Sequence, residues 1–153
     1  MLQMTIKEVI TKYLKEENGI QKERYCIYLI KDEETVLYVG QAGNPYDRFI
    51  SHIGEDWHAD PSPIGKFILQ HAPASGAWLF IQYTLEDCQP FVEQHYQTSY
   101  YDVDVAEEAL IKIHRPHFNK AMNYNPRPLS KKYRQKPTEN PYGEQVVNYY
   151  GIK

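Results

Sequence analysis

Two short apolar runs separated by a polar loop constrain this chain more than any other feature. Residues 25–30 (Tyr-Cys-Ile-Tyr-Leu-Ile) and 36–39 (Val-Leu-Tyr-Val) are aliphatic and aromatic, and Asp32-Glu33-Glu34 lies between them. This is a β-hairpin signal. The runs are apolar at consecutive rather than alternate positions, which implies burial on both faces. A hairpin symmetric about Glu33 pairs residues whose numbers sum to 66, so Tyr28 falls directly opposite Tyr38. Directly opposed residues share a face, so the two phenols project side by side. A slip of one residue would separate them.

The flanking elements follow from caps and periodicity. Thr5 with Glu8 three residues on reads as a capping box. Ile6, Val9, Ile10, Tyr13 and Leu14 then form one helical face, giving a helix over about 5–17 that stops at Asn18-Gly19. Asn44-Pro45 starts a second helix that runs to His52 or Ile53, with Phe49 and Ile53 facing the core. A short helix is expected at about 63–71, although Gly65 weakens it. Residues 77–83 read as a third strand, and a helical turn follows Pro90. Asp104 is expected to cap a final helix with Ala106, Ala109, Leu110 and Ile113 buried, ended by Arg115-Pro116. Beyond Asn119 four prolines break any long element, so 121–153 reads as an arm. Its apolar stretch 146–152 is suited to docking.

A chain of 153 residues with 42% hydrophobic and 24% charged residues suits one globular domain. No apolar run approaches a membrane span, and no export signal precedes the first helix, so a cytoplasmic location is expected. Cys26 and Cys88, the only cysteines, read as free thiols, and without a CxxC pair no structural zinc site is expected. Net charge is −3, which argues against binding DNA by overall charge alone. The charge is unevenly spread. Residues 121–153 hold six basic and two acidic residues, a balance of +4, so 1–120 carry −7. Residues 85–108 hold seven acidic residues and no Lys or Arg.

Arg48 and His52, four residues apart, share a helix face beside the Phe49/Ile53 stripe. That places them near the rim where the second strand ends at Gly40. On the last helix Glu108 points away from the buried stripe. Glu107 lies on its flank next to Ile111, where a carboxylate facing a shallow pocket can hold a hard divalent cation.

These residues, taken together, resemble the GIY-YIG endonuclease family. The likeness rests on Cys26-Ile27-Tyr28, Tyr38-Val39-Gly40, Arg48, His52, and the run from Glu107 through Leu110, Ile111, Arg115 and Pro116 to Asn119. Cys26 occupies the family's first glycine position, and Gln41 stands where excision-repair members carry a lysine. The likeness covers about 25–120. It implies an α/β fold, a small three-stranded antiparallel sheet flanked by helices, here with a basic Pro/Tyr-rich C-terminal arm. It also implies divalent-metal-dependent hydrolysis of DNA phosphodiester bonds. Tyr28 or Tyr38 would activate or orient the attacking water. Arg48 would stabilise charge on the phosphate, and His52 would contact the phosphate or assist proton transfer. Glu107 would hold one Mg²⁺ or Mn²⁺, and Asn119 would orient the groups behind it. His114, His117, Cys88 and the acidic 85–108 segment read as packing or solvated residues. The alternatives are a non-catalytic nucleic-acid-binding module on the same fold and a protein-interaction domain that uses the tyrosine-rich tail.

Overall fold

A computed structural model of the chain describes residues 1–15, 24–54, 61–98, 100–134 and 150–152. The expected helix stop at Asn18-Gly19, the side chain of Leu14 and most of the 146–152 stretch lie outside the described residues. Four strands form one antiparallel sheet in the order β1-β4-β2-β3: β1 (Leu2–Thr5), β2 (Tyr25–Lys31), β3 (Val36–Gln41) and β4 (Leu79–Thr84). The helices are α1 (Ile6–Lys15), α2 (Pro45–His52), α3 (Pro63–Gln70), α4 (Gln89–Tyr96) and α5 (Val103–His114). None of them is long and apolar enough to cross a membrane.

The sheet therefore has four strands, not three. The extra strand is β1, which pairs with β4 from Leu2↔Gln82 to Thr5↔Leu79. Thr5 hid it by serving two elements at once. It ends β1, and its Oγ1 accepts the Glu8 N–H at 3.1 Å to start α1.

The hairpin register also differs from a turn centred on Glu33. Tyr28 pairs with Gly40, and Ile30 with Tyr38. Asp32 sets this turn. Its Oδ1 accepts the N–H groups of Glu34 and Thr35 at 2.8 and 2.7 Å, and its own N–H donates to the Thr35 carbonyl. A bulge between Ile30 and Lys31 then moves the pairing one residue further. The total offset is two, so parity survives. Tyr28 and Tyr38 share a face as diagonal neighbours, with ring centroids 6.0 Å apart. Gly40 stands directly opposite Tyr28 because a Cβ there would collide with the Tyr28 phenol.

Two cores flank the sheet. Tyr28, Ile30, Leu37 and Phe80 face α1, α2 and α3, and bury Tyr46, Phe49, Phe67 and Trp78 among aliphatic neighbours. Ile27, Leu29, Val39 and Ile81 face α4 and α5. The buried residues of α5 are Ala106, Ala109, Leu110 and Ile111, so Ile111 rather than Ile113 completes the stripe. Its N-cap is Asp102, not Asp104, with the Asp102 side chain accepting the Val105 N–H at 2.9 Å. Asp104 is thereby free to face the sheet edge. The described part of the arm is docked on the body. Tyr133 packs edge-on to Phe67 at 4.9 Å and donates its phenolic proton to Asp32. Tyr150 is buried against Ser75 with a 2.8 Å hydrogen bond.

Candidate active site

A cleft of about 590 Å³ opens at the end of β3, the edge strand, where the two helical layers meet. Tyr28, Tyr38, Arg48, His52, Glu107 and Asn119 all line it. The strands supply the phenols, α2 the cation and the imidazole, α5 the carboxylate, and the segment after α5 the amide.

On the α2 side a short hydrogen-bonded chain fixes the polar groups. His52 Nε2 lies 2.7 Å from the Tyr28 phenol, and its Nδ1 lies 2.7 Å from Ser62 Oγ. Ser62 caps α3 by accepting the Gly65 N–H, and its own N–H donates to the His52 carbonyl at 3.0 Å. Gly65 makes this possible, since a Cβ there would overlap the His52 carbonyl oxygen. The residue that weakens α3 as a helix former is thus what lets α3 approach α2. Burial, aided by the Arg48 charge, lowers the His52 imidazole to about 4, so it is neutral at pH 7. Burial and the neighbouring Tyr38 push the Tyr28 phenol far above its ordinary range, and burial also raises Tyr38. Both phenols keep their protons. With Tyr28 donating, Nε2 accepts, and Nδ1 carries the proton that goes to Ser62.

The Arg48 side chain is exposed at the cleft. Its charge partly offsets the rise of both phenols. Across the cleft Glu107 is half-buried, and burial raises its carboxyl above the usual range; Gln41 offsets this in part, and Asp104 adds to it. Gln41 Nε2 also donates to Asp104 Oδ1 at 2.8 Å, so Gln41 ties the two carboxylates together. Among the described residues no group of three or more His, Cys, Asp or Glu side chains gathers. The hard oxygen donor lining the cleft is Glu107, with Asp104 one helical turn away. One or two carboxylates with open positions are the donor set that suits a strongly hydrated cation such as Mg²⁺, with the remaining positions left to water and phosphate oxygens.

Asn119 does not point into solvent. Its Oδ1 accepts the Val39 N–H at 2.9 Å, and its Nδ2 donates to the Val39 carbonyl at 2.8 Å. It holds the edge strand beside Tyr38 and Gly40. Glu108 faces away and pairs with Lys112 at 3.0 Å. His114 and His117 do not line the cleft, and the latter meets the Arg127 carbonyl.

Ser62 and the run Lys120, Ala121 and Met122 line the cleft with no counterpart in the sequence-based reading. Ser62-Pro63 is a recognisable helix start, which would have given Ser62 as a cap though not as a partner of His52. Met122 has a left-handed backbone (φ 59), and its neighbour Asn123 is pinned by donating to the Pro116 and Asn119 carbonyls. No sequence pattern announces that loop. No family model matches the chain, and no curated protein or solved structure matches it, so the reading of the cleft stands on its own geometry.

Proposed function

We propose that the cleft hydrolyses phosphodiester bonds of DNA as a divalent-metal-dependent endonuclease of the GIY-YIG type. The observation that carries this reading is convergence. Six residues spread over 92 positions of sequence, from Tyr28 to Asn119, line one cleft that sets a cation opposite a carboxylate with phenols between.

Arg48 meets the phosphate. Its guanidinium offers a planar fork for two phosphoryl oxygens, where charge builds as the nucleophile attacks. Tyr38, half-buried at the mouth, orients the attacking water. As the water loses a proton to the Tyr38 phenol, Tyr38 passes its own proton to the hydrogen-bonded Tyr28. Tyr28 passes its own to His52 Nε2, which is neutral, hydrogen-bonded to it and becomes imidazolium. Hydroxide bonds to phosphorus, and the bond to the leaving oxygen breaks with its electron pair. The raised phenols support a relay through hydrogen bonds rather than a standing tyrosinate. Glu107 would hold the Mg²⁺ or Mn²⁺, with Asp104 and Gln41 behind it, and the ion would supply Lewis-acid stabilisation of the phosphate and leaving oxygens. Asn119 keeps β3, and with it Tyr38, in place.

The test is cleavage of supercoiled, branched and single-stranded DNA with Mg²⁺ or Mn²⁺, with Arg48→Ala and Glu107→Ala as controls. The expected result is cutting that each substitution lowers about 10²–10³-fold, the scale of removing one preorganised electrostatic group. Intact DNA in every metal sinks the reading. The raised phenols also favour a second reading, a nucleic-acid-binding module without catalysis. DNA binding that persists in EDTA, with no cutting in any metal, is its signature.

A further inference from the structure

A second cavity, of about 270 Å³, lies at the other end of β3, lined by Lys31, Glu34, Thr35, Val36, His114 and Arg127. Its charge is unbalanced. Lys31 and Arg127 face it from different segments, and both bear on the His114 ring, whose protonation burial already disfavours. Glu34 is the acidic residue in its lining, and Lys132 lies 3.8 Å from that carboxylate and 3.9 Å from Glu33. Arg127 is held in place. Its Nε donates to the His114 carbonyl at 3.0 Å, and its backbone N–H donates to the Arg115 carbonyl at 2.8 Å. Two cations from separate segments against one carboxylate, with a neutral imidazole beside them around a solvent-open hollow, leave a net positive site that matches the needs of a tetrahedral oxyanion.

The placement says which oxyanion. Val36 borders this cavity and Gly40 borders the cleft, on the same edge strand. Four residues of strand span about 13 Å. The segment from Ile111 to Arg127 contributes to both openings, and it holds four basic residues and no acidic one. We propose that this cavity binds a backbone phosphate of the same nucleic-acid strand whose scissile phosphate enters the cleft. The inference rests on the phosphodiester reading of the cleft for the identity of the strand, and on the cavity alone for the phosphate.

Two measurements on the full chain separate these parts. Inorganic phosphate, titrated against the backbone amide spectrum, is expected to shift Thr35 and Val36, and Lys31→Ala is expected to abolish the shift. Arg127→Ala should do the same, but it also loses a backbone contact, so Lys31→Ala is the decisive variant. Single-stranded DNA binding without metal is then measured across salt concentrations. Lys31→Ala is expected to weaken binding to all sequences alike and to reduce the salt slope by about 0.7, the value of one strand phosphate. Arg48→Ala in the same assay reports on the cleft. A slope lowered by Arg48→Ala but not by Lys31→Ala overturns the proposal and leaves the cleft reading standing. Absent phosphate shifts overturn it as well. No DNA binding by the unsubstituted chain overturns both.

Discussion

The two faces of the sheet are built from different materials. The face under α4 and α5 is aliphatic and small, with Ile27, Leu29, Val39, Ile81, Ala106, Ala109 and Leu110 at its centre. The face under α1, α2 and α3 is aromatic and threaded with polar atoms: Tyr28, Tyr46, Phe49, Phe67, Trp78 and Phe80 pack beside His52 and Ser62. An aliphatic layer is held by burial alone, which needs volume and little geometry. The aromatic layer holds hydroxyl and imidazole groups out of water, so each needs a partner placed to a few tenths of an ångström. The aliphatic face supports the fold, and the aromatic face sets the chemistry.

Leu110→Ala breaks the comparison from the aliphatic side. Leu110 is fully buried, so its loss should cost about 2–5 kcal/mol, read by denaturant unfolding, with the His52 and Tyr28 resonances unmoved. Shifts in those resonances would show that the two faces are not separable. Arg48→Ala is the converse. Cleavage should fall about 10²–10³-fold, or about 3–4 kcal/mol of barrier, with the melting temperature unchanged because the side chain is exposed.

The third prediction concerns acid. His52 binds a proton near 6.5 when unfolded and only near 4 when folded. The unfolded chain therefore binds more protons between those values. The stability from keeping His52 neutral is complete above about pH 6.5 and is lost as pH falls toward 4. The scale is roughly 3 kcal/mol. Burial lowers His71 and His114 too, and they steepen the same window, so His52→Gln isolates the His52 share by flattening part of the curve. An unchanged curve in that variant would remove His52 from the account.

The smallest effect is the sharpest test of the polar face. Gln82 is fully buried opposite Tyr28, and neither of its amide atoms has a partner. An orphaned amide costs about 1–3 kcal/mol, so Gln82→Leu should stabilise the fold and raise the melting temperature by a few degrees. A lower melting temperature would mean that the amide holds a bound water against Tyr28.

The same contrast explains what the sequence made legible. Helical periodicity located Ala106, Ala109 and Leu110, and parity kept both phenols on one face even though the register was off by two. Periodicity does not report turn closure, so Asp32 and the bulge beside Lys31 were invisible to it. Caps were legible as residue types but not as assignments, and Asp102 rather than Asp104 starts α5 because its side chain reaches Val105. Ser62 was beyond reach for a different reason. Its partner is ten residues away and depends on Gly65 admitting α3 against α2, which is a property of packing.

The Asn119 side chain, finally, does the work of a missing neighbour. It matches both polar groups of Val39, and the Phe118 N–H takes the Leu37 carbonyl at 3.1 Å, so the outermost strand is closed by a short piece of its own chain. An open rim of this kind invites strand-by-strand self-association. Here the rim carries the cleft and yet offers no template to a second copy along Leu37 and Val39. In hydrogen-exchange terms, the Val39 amide should be protected like one in the middle of the sheet, and that protection should end wherever Asn119 lets go.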